Sequence, residues 1–260
     1  MNRLQKLFET RNRNILNVYC TAGYPRLHST REVMKAVQEH GADIIELGMP
    51  YSDPLADGPV IQHSSTGALA NGMTIAILFE QLRDFRKEIH LPVVLMGYMN
   101  PVLQYGFERF CADAASVGVD GLILPDLPEF EFENEYGDLV KKYGLDFIFL
   151  VTPETSEERL RKLDSLSSGF LYAVSSSSTT GKEMHKAEAE KNLEGYLSRL
   201  KNMQFKNPVL VGFGIRDKAG FEAVCQYTAG GIIGSAYIKA LANSTDVNAS
   251  TKSFISSILG

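Results

Sequence analysis

The stretch DIIELGMPYSDPLADGP, residues 43–59, joins two contrasting halves. The first is an apolar, β-branched run with the composition of a strand. The second crowds Pro50, Pro54 and Pro59 together with Gly58, Asp53 and Asp57 into one loop. A mere connection needs less stiffness and fewer carboxylates. Loops carry function when a rigid scaffold holds them, so the scaffold comes first.

Outward from this stretch, similar runs recur as NILNVYCTA (14–22), PVVLMGYM (92–99), DGLILPD (120–126), DFIFLVTP (146–153), GFLYAVSS (169–176), PVLVGFGI (208–215) and GGIIGSA (230–236), which with DIIELGMP (43–50) makes eight. Between them lie segments of helical period: HSTREVMKAVQEHG, MTIAILFEQLRDFRKEI, FERFCADAASVG, EYGDLVKKYG, SEERLRKLDSLS, AEKNLEGYLSRLKNM and DKAGFEAVCQYTAG. Near-continuous apolar strands alternating with helices indicate a parallel sheet covered on its outer face. Eight such units in a chain of 260 residues predict an α/β fold, a closed (β/α)8 TIM barrel, since such barrels run to about 250 residues as one unit. MNRLQKLFETRNRN at the start reads as a short amphipathic helix with no signal-peptide core. No low-complexity linker divides the chain, so residues 1–260 are expected to form a single barrel domain. An open doubly wound sheet would place a GxGxxG turn after the first strand, where TAGYPRLHST stands instead.

Composition narrows the partners. Hydrophobic residues make up 44% of the chain, enough for a large core, but no run is long enough to span a membrane. The net charge is −5 and the basic residues are scattered, which argues against nucleic acid as a partner. Cys20, Cys111 and Cys225 form no CxxC pair, so a reducing, cytoplasmic compartment is expected. The histidines at 28, 40, 63, 90 and 185 lack metal-ligand spacing, and no metal is expected.

In a barrel the strand C-termini and the loops after them form the active face. Glu46 lies on the opposite side of its strand from Ile45 and Leu47. If that side is the lumen, an unpartnered carboxylate there shifts toward neutrality, which suits a general acid or base; a glutamate paired at the strand mouth is the plainer alternative. Aspartates commonly cap turns, and of the two in the loop, SDP (52–54) reads as the structural turn, leaving Asp57 as the candidate for chemistry. GFG (212–214) ends the seventh run, and GGIIGSA passes into the helix-prone YIKAL. Glycines there allow close backbone approach, and amides at a helix start hold an anion, in the usual phosphate position of a barrel. SSSSTTGKE (175–183) has little that could pack and reads as a lid or a plain loop.

These residues resemble a known family. ELGMPYSDPLADGPVIQ (46–62) is similar to the signature of the tryptophan synthase α subunits, and LMGYMNP, VDGLILPDLP, TTG, GFGI and IGSA follow in that family's order. The resemblance covers nearly the whole chain. It implies a lyase of tryptophan biosynthesis that cleaves indole-3-glycerol phosphate to indole and glyceraldehyde 3-phosphate by a retro-aldol reaction, without a cofactor of its own. It implies that Glu46 protonates the indole ring carbon and accepts the side-chain hydroxyl proton, and that Asp57 meets the indole N–H and stabilises the positive charge of the tautomer. Gly212, Gly214, Gly234 and Ser235 would cradle the phosphate; Phe213, Tyr98, Tyr172 and Ile123 would line the indole slot; Thr180 and Gly181 match the lid. It further implies an αββα complex with a β subunit that carries pyridoxal phosphate and receives indole through a tunnel, the interface including the 48–59 loop and the segment around LMGYMNP. Two departures stand out. Gly23-Tyr24-Pro25 replaces the family's Gly-Asp-Pro, and Ser178 precedes Thr179 and Thr180 where a glycine is usual before the final Thr-Gly. Another phosphate-binding barrel isomerase, a non-catalytic partner of a β subunit and a free-standing indole lyase are the alternatives.

Overall fold

The computed structural model describes residues 2–174, 186–212, 214–242 and 244–260, with the side chains of 186–190 left aside. Its strands are β1 (Ile15–Thr21), β2 (Ile44–Gly48), β3 (Val93–Met96), β4 (Gly121–Ile123), β5 (Asp146–Phe147), β6 (Leu150–Val151), β7 (Leu171–Val174), β8 (Val209–Gly212) and β9 (Gly230–Ile233). All neighbours pair in parallel, in the order β5-β4-β3-β2-β1-β9-β8-β7-β6.

The two ends of that order belong to one run of chain. Ile148 N–H donates to the Leu122 carbonyl at 3.0 Å, and Tyr172 N–H donates to the Phe149 carbonyl at 3.0 Å, so the sheet closes into a barrel. The eight apolar runs thus become nine strands because the fifth divides. Its first half pairs with β4 and its second with β7, a stagger that a tilted, closed sheet imposes. Phe147 and Phe149 point outward, where the first packs tilted on Phe132 and the second meets it edge-on, with centroids 4.4 and 5.2 Å away.

Strand alternation sorts the side chains into two cores. Leu16, Val18, Ile45, Leu47, Val93 and Leu95 face the helices, whereas Ile15, Ile44, Val94, Ile123, Ile148, Phe170, Leu210 and Ile232 fill the lumen. The lumen's N-terminal end is plugged by Leu4, fully buried, from the helix Arg3–Thr10. Asn2 starts that helix with a reciprocal cap to Gln5 and also donates to Asp146 at 2.7 Å, while Arg3 pairs with buried Asp120 at 3.2 Å. These bonds tie the plug across two strands, and burying one such leucine contributes roughly 1.5–3 kcal/mol.

The helical layer departs from the sequence pattern in places. The expected helix over 73–89 stops at Gln81 and resumes as a short turn at Phe85–Lys87, because Asp84 takes a left-handed conformation, φ 62°. Pro59–Ala70 and Met99–Tyr105 are helices that periodicity alone does not mark. The former is rich in serine, threonine and glycine; Pro59 at its first position, with φ already helical, starts it. The last helix, Val247–Leu259, packs beside Thr30–Glu39, where Asn248 contacts His40 and Glu39 at 3.1 and 2.9 Å.

Candidate active site

Moving two residues up each strand from the apolar lumen layer changes its chemistry. Above Ile44 comes Glu46, above Ile15 come Asn17 and then Tyr19, above Phe170 comes Tyr172, and above Leu210 and Ile232 come Gly212 and Gly234. Glu46 is fully buried, as is Asn17. The Asn17 amide Nδ2 donates to Glu46 Oε2 at 2.8 Å. Among the described residues, Glu46 Oε1 and Asn17 Oδ1 have no partner. Burial pushes the Glu46 carboxyl up to about 8, with the charge of Asp57 adding to the rise and the Asn17 bond opposing it. Glu46 therefore holds its proton near neutrality, as a general acid must, yet titrates close enough to return as a base.

The loop after β2 is stitched to the end of β3. Met49 N–H donates to the Met96 carbonyl at 2.7 Å, and Met49 covers Gly97 so closely that a Cβ there would lie 2.5 Å from its Cε. The Tyr98 hydroxyl accepts from Ala56 N–H at 3.1 Å and donates to the Asp57 carboxylate. Tyr51 stacks on Tyr98, centroids 5.4 Å apart, and takes a bond from Asn100 at 3.0 Å. Gln62, on the following helix, donates to the Asp57 carbonyl at 2.8 Å. Asp57 is thereby half-buried and within electrostatic reach of Glu46; burial raises its pKa, and the Tyr98 bond partly offsets this. Asp53 is exposed, receiving a bond from the neighbouring Ser52 hydroxyl.

Tyr172 and Tyr19 complete the wall. The Tyr172 ring lies over Gly212, where a Cβ would come within 2.5 Å of it, and the Tyr19 hydroxyl lies over Gly48, where a Cβ would come within 2.1 Å. Both hydroxyls are raised well above the ordinary tyrosine value, first by burial and then by the carboxylates Glu46 and Asp57. Tyr19 and Asn17 are additions to the residues expected from sequence. The signal was present: both share the alternation of Ile15 in NILNVYCTA, and so face the lumen.

The glycines at the other side of the mouth differ in cause. Gly212 makes room for Tyr172. Gly214 sits at φ +42° with open space around it. Gly234 would meet only ordinary contact with Tyr19, at 3.4 Å, so packing within the chain does not demand a glycine there. Its carbonyl accepts from Ile238 N–H at 3.0 Å, which makes it the residue before the helix Ser235–Ala242, with Ser235 exposed. Ile123 is fully buried in the apolar lumen layer with Ile44 and Val94. Thr180, Gly181 and Phe213 lie outside the described residues.

A groove of about 900 Å³ on the helical layer, lined by Phe79, Arg83, Tyr105 and Arg109 among others, shares no residue with this cluster. Converging carboxyls and tyrosines mark the site. Among the described residues, no group of three metal-binding side chains is arranged to hold an ion, and no helix is long and apolar enough to cross a membrane.

Residues 5–257 match the family model described as "Tryptophan synthase alpha chain". A protein of that name from Parabacteroides distasonis is 49% identical over 241 residues, 93% of each chain. One from Flavobacterium johnsoniae is 50% identical over 245 residues, 94% of this chain and 95% of the relative. Among solved structures, tryptophan synthase subunit alpha from Legionella pneumophila superposes with a TM-score of 0.87 at 35% identity, covering 99% of this chain and 97% of that one. The aminoacrylate-bound tryptophan synthase from M. tuberculosis gives 0.85 at 33% identity, covering 99% and 100%.

Proposed function

The chain belongs to the tryptophan synthase alpha chain family, whose reaction is the cleavage of indole-3-glycerol phosphate, and on that premise we propose how its residues divide the work. Glu46 is the general acid–base. Its carboxyl gives a proton to the indole ring carbon that bears the side chain; it then takes the proton of the adjacent side-chain hydroxyl as the carbon–carbon bond breaks. The electron pair of that bond returns to the indole ring, the hydroxyl carbon becomes the aldehyde of glyceraldehyde 3-phosphate, and Glu46 ends protonated as it began. Asp57 takes the indole N–H and stabilises the cation formed when the ring carbon is protonated. The observation that carries this reading is the fully buried Glu46, titrating near 8 with one oxygen unpartnered, within the field of a second carboxyl held by Tyr98.

The remaining parts follow the family resemblance. Tyr98 and Tyr172 are the walls of a slot for a flat aromatic ring, to which the family resemblance adds Ile123 and Phe213. The phosphate sits at Gly234 and Ser235, where amides at a helix start favour an anion, with Gly212 and Gly214 at the end of the neighbouring strand; the family resemblance assigns Thr180 and Gly181, outside the described residues, to the lid. Residues 1–260 act as one barrel domain in the cytoplasm. The partner is a β subunit that carries pyridoxal phosphate and receives indole in an αββα complex. Leu55, 87% exposed, and Leu103, 48% exposed, lie on the two segments assigned to that interface and support the docking of an apolar surface there.

Incubating the purified chain with indole-3-glycerol phosphate, with and without a tryptophan synthase β subunit, and measuring indole tests reaction and partner together. Indole formation that rises when the β subunit is added is expected. No indole under either condition refutes the assignment of Glu46 and Asp57, and a rate indifferent to the β subunit refutes the partner.

A further inference from the structure

Two adjacent polar side chains at the centre of this barrel are both fully buried and both only half satisfied. Buried polar atoms in folded proteins are paired in roughly nine cases out of ten, so two orphans side by side call for a reason. Among the described residues the Asn17 amide is the hydrogen-bond partner given to the Glu46 side chain, and it holds Oε2. Nothing holds Oε1. Asn17 lies on β1 with its Cα paired to Ile44, so it reaches the carboxyl diagonally, from the floor of the cavity.

We propose that Asn17 is a positioning residue for Glu46: its amide fixes one carboxyl oxygen against the β1 wall, leaving the other as the oxygen that exchanges protons with substrate. This rests on the acid–base reading of Glu46 given above. A neutral amide is suited to the task because the same carboxyl must serve in two charge states. When Glu46 is ionised, the Asn17 N–H donates to it. When Glu46 is protonated, a half-turn of the amide lets the unpartnered Oδ1 accept its O–H. Lysine or arginine in this place would favour the anion and remove the acid; an aliphatic side chain would leave the carboxyl free to turn. The opposing influences on Glu46, burial upward and the Asn17 bond downward, fit the same role. In this role Asn17 acts through Glu46, so its loss acts on chemistry rather than on binding.

The experiment compares Asn17→Leu, Asn17→Ser and Glu46→Gln with the unmodified chain, each saturated with β subunit, measuring kcat and KM for indole-3-glycerol phosphate from pH 5.5 to 9.5. Both Asn17 variants should lower kcat about ten- to a hundredfold, the value of a hydrogen bond to a charged group, with KM within about threefold. The limb of the kcat profile that belongs to Glu46 should move upward by about one unit, since a bond that favoured the anion is gone. Serine is included because it is too short to reach Glu46 yet cannot overpack the lumen as leucine could. Retained kcat with an unmoved limb in the serine variant, alongside an inactive Glu46→Gln, overturns the positioning role alone. A lowered kcat with an unmoved limb also overturns it, by reducing Asn17 to packing. Near-normal turnover in Glu46→Gln overturns the glutamate's role and this proposal with it.

Discussion

The lower and upper halves of the lumen are built from the same strands, yet they obey different rules. In the lower half, Ile15, Ile44, Val94, Ile148, Phe170, Leu210 and Ile232 meet with no polar atom among them. Two residues further along, a rise of roughly 7 Å, stand Asn17, Glu46, Tyr172, Gly212 and Gly234, with two orphaned polar atoms and two raised titrating groups. The lower layer stabilises the barrel. The upper layer costs stability, because a buried carboxyl with one unmet oxygen is unfavourable, and that cost is the means by which its pKa reaches a useful value. The contrast teaches that a barrel strand can separate folding from chemistry by a single repeat of its alternation.

The strongest way to break this comparison is to remove the chemistry while keeping the shape. Glu46→Gln and Asp57→Asn should each lower kcat by about 10²- to 10⁴-fold while thermal stability holds or rises. A variant that keeps near-normal turnover would remove its residue from the mechanism. One layer down the result should invert. Ile44→Ala should destabilise the fold by about 2–5 kcal/mol through the cavity it leaves, visible as a lower urea midpoint, with kcat of the folded fraction little changed. If Ile44→Ala instead impairs kcat as severely as Glu46→Gln, the two layers are one unit and the separation fails.

Much of this contrast was legible in the sequence. DIIELG placed Glu46 opposite Ile45 and Leu47, and period-two alternation needs no tertiary information. The loop's chemistry was legible in kind, since prolines and glycines signal a fixed backbone. Which aspartate turns inward depends on Tyr98, some forty residues away, which receives Ala56 N–H and donates to Asp57. The division of the fifth strand was not legible, because it follows from the stagger at which the sheet closes, a property of all strands together. Asn17 and Tyr19 share the alternation of Ile15, so the side they face was legible, but no neighbouring residue in the run marks what they do there. The break at Asp84 is similarly silent, since a left-handed aspartate follows no pattern in the surrounding helical period.

A smaller effect would sharpen the comparison at the anion end. Gly234 is spared a side chain without any packing need in the chain itself, so the reason lies in what approaches it. Gly234→Asp, placing bulk and negative charge at the helix start, should raise KM about ten- to a hundredfold, as expected for losing a hydrogen bond to a charged group. Inorganic phosphate should compete with substrate in the unmodified chain and cease to do so in the variant. Unaltered KM and unaltered phosphate inhibition would place the phosphate elsewhere.

The last effect is the smallest per step and concerns pH. Glu46 titrates near 8 in the fold and near its ordinary 4.5 once unfolded. Below pH 4.5 both states hold the proton, so the carboxyl is buried neutral and carries no charge penalty. Between 4.5 and 8 the unfolded chain releases the proton while the folded chain keeps it, and stability falls as pH rises, by at most about 1.4 kcal/mol per unit. Above 8 the folded chain releases it too, and the loss is complete. Asp57 and Asp43, both raised mainly by burial, act with the same sign, whereas exposed Glu108, lowered by Lys142, acts oppositely. All three remain in Glu46→Gln, so the difference between the two proteins isolates Glu46. Urea midpoints measured from pH 5 to 8 at constant m-value should converge at the acid end and diverge steadily toward pH 8, with the glutamine variant the more stable. Parallel profiles would mean that Glu46 ionises in the fold as easily as in water, and the upper lumen would then be no more costly than the layer beneath it.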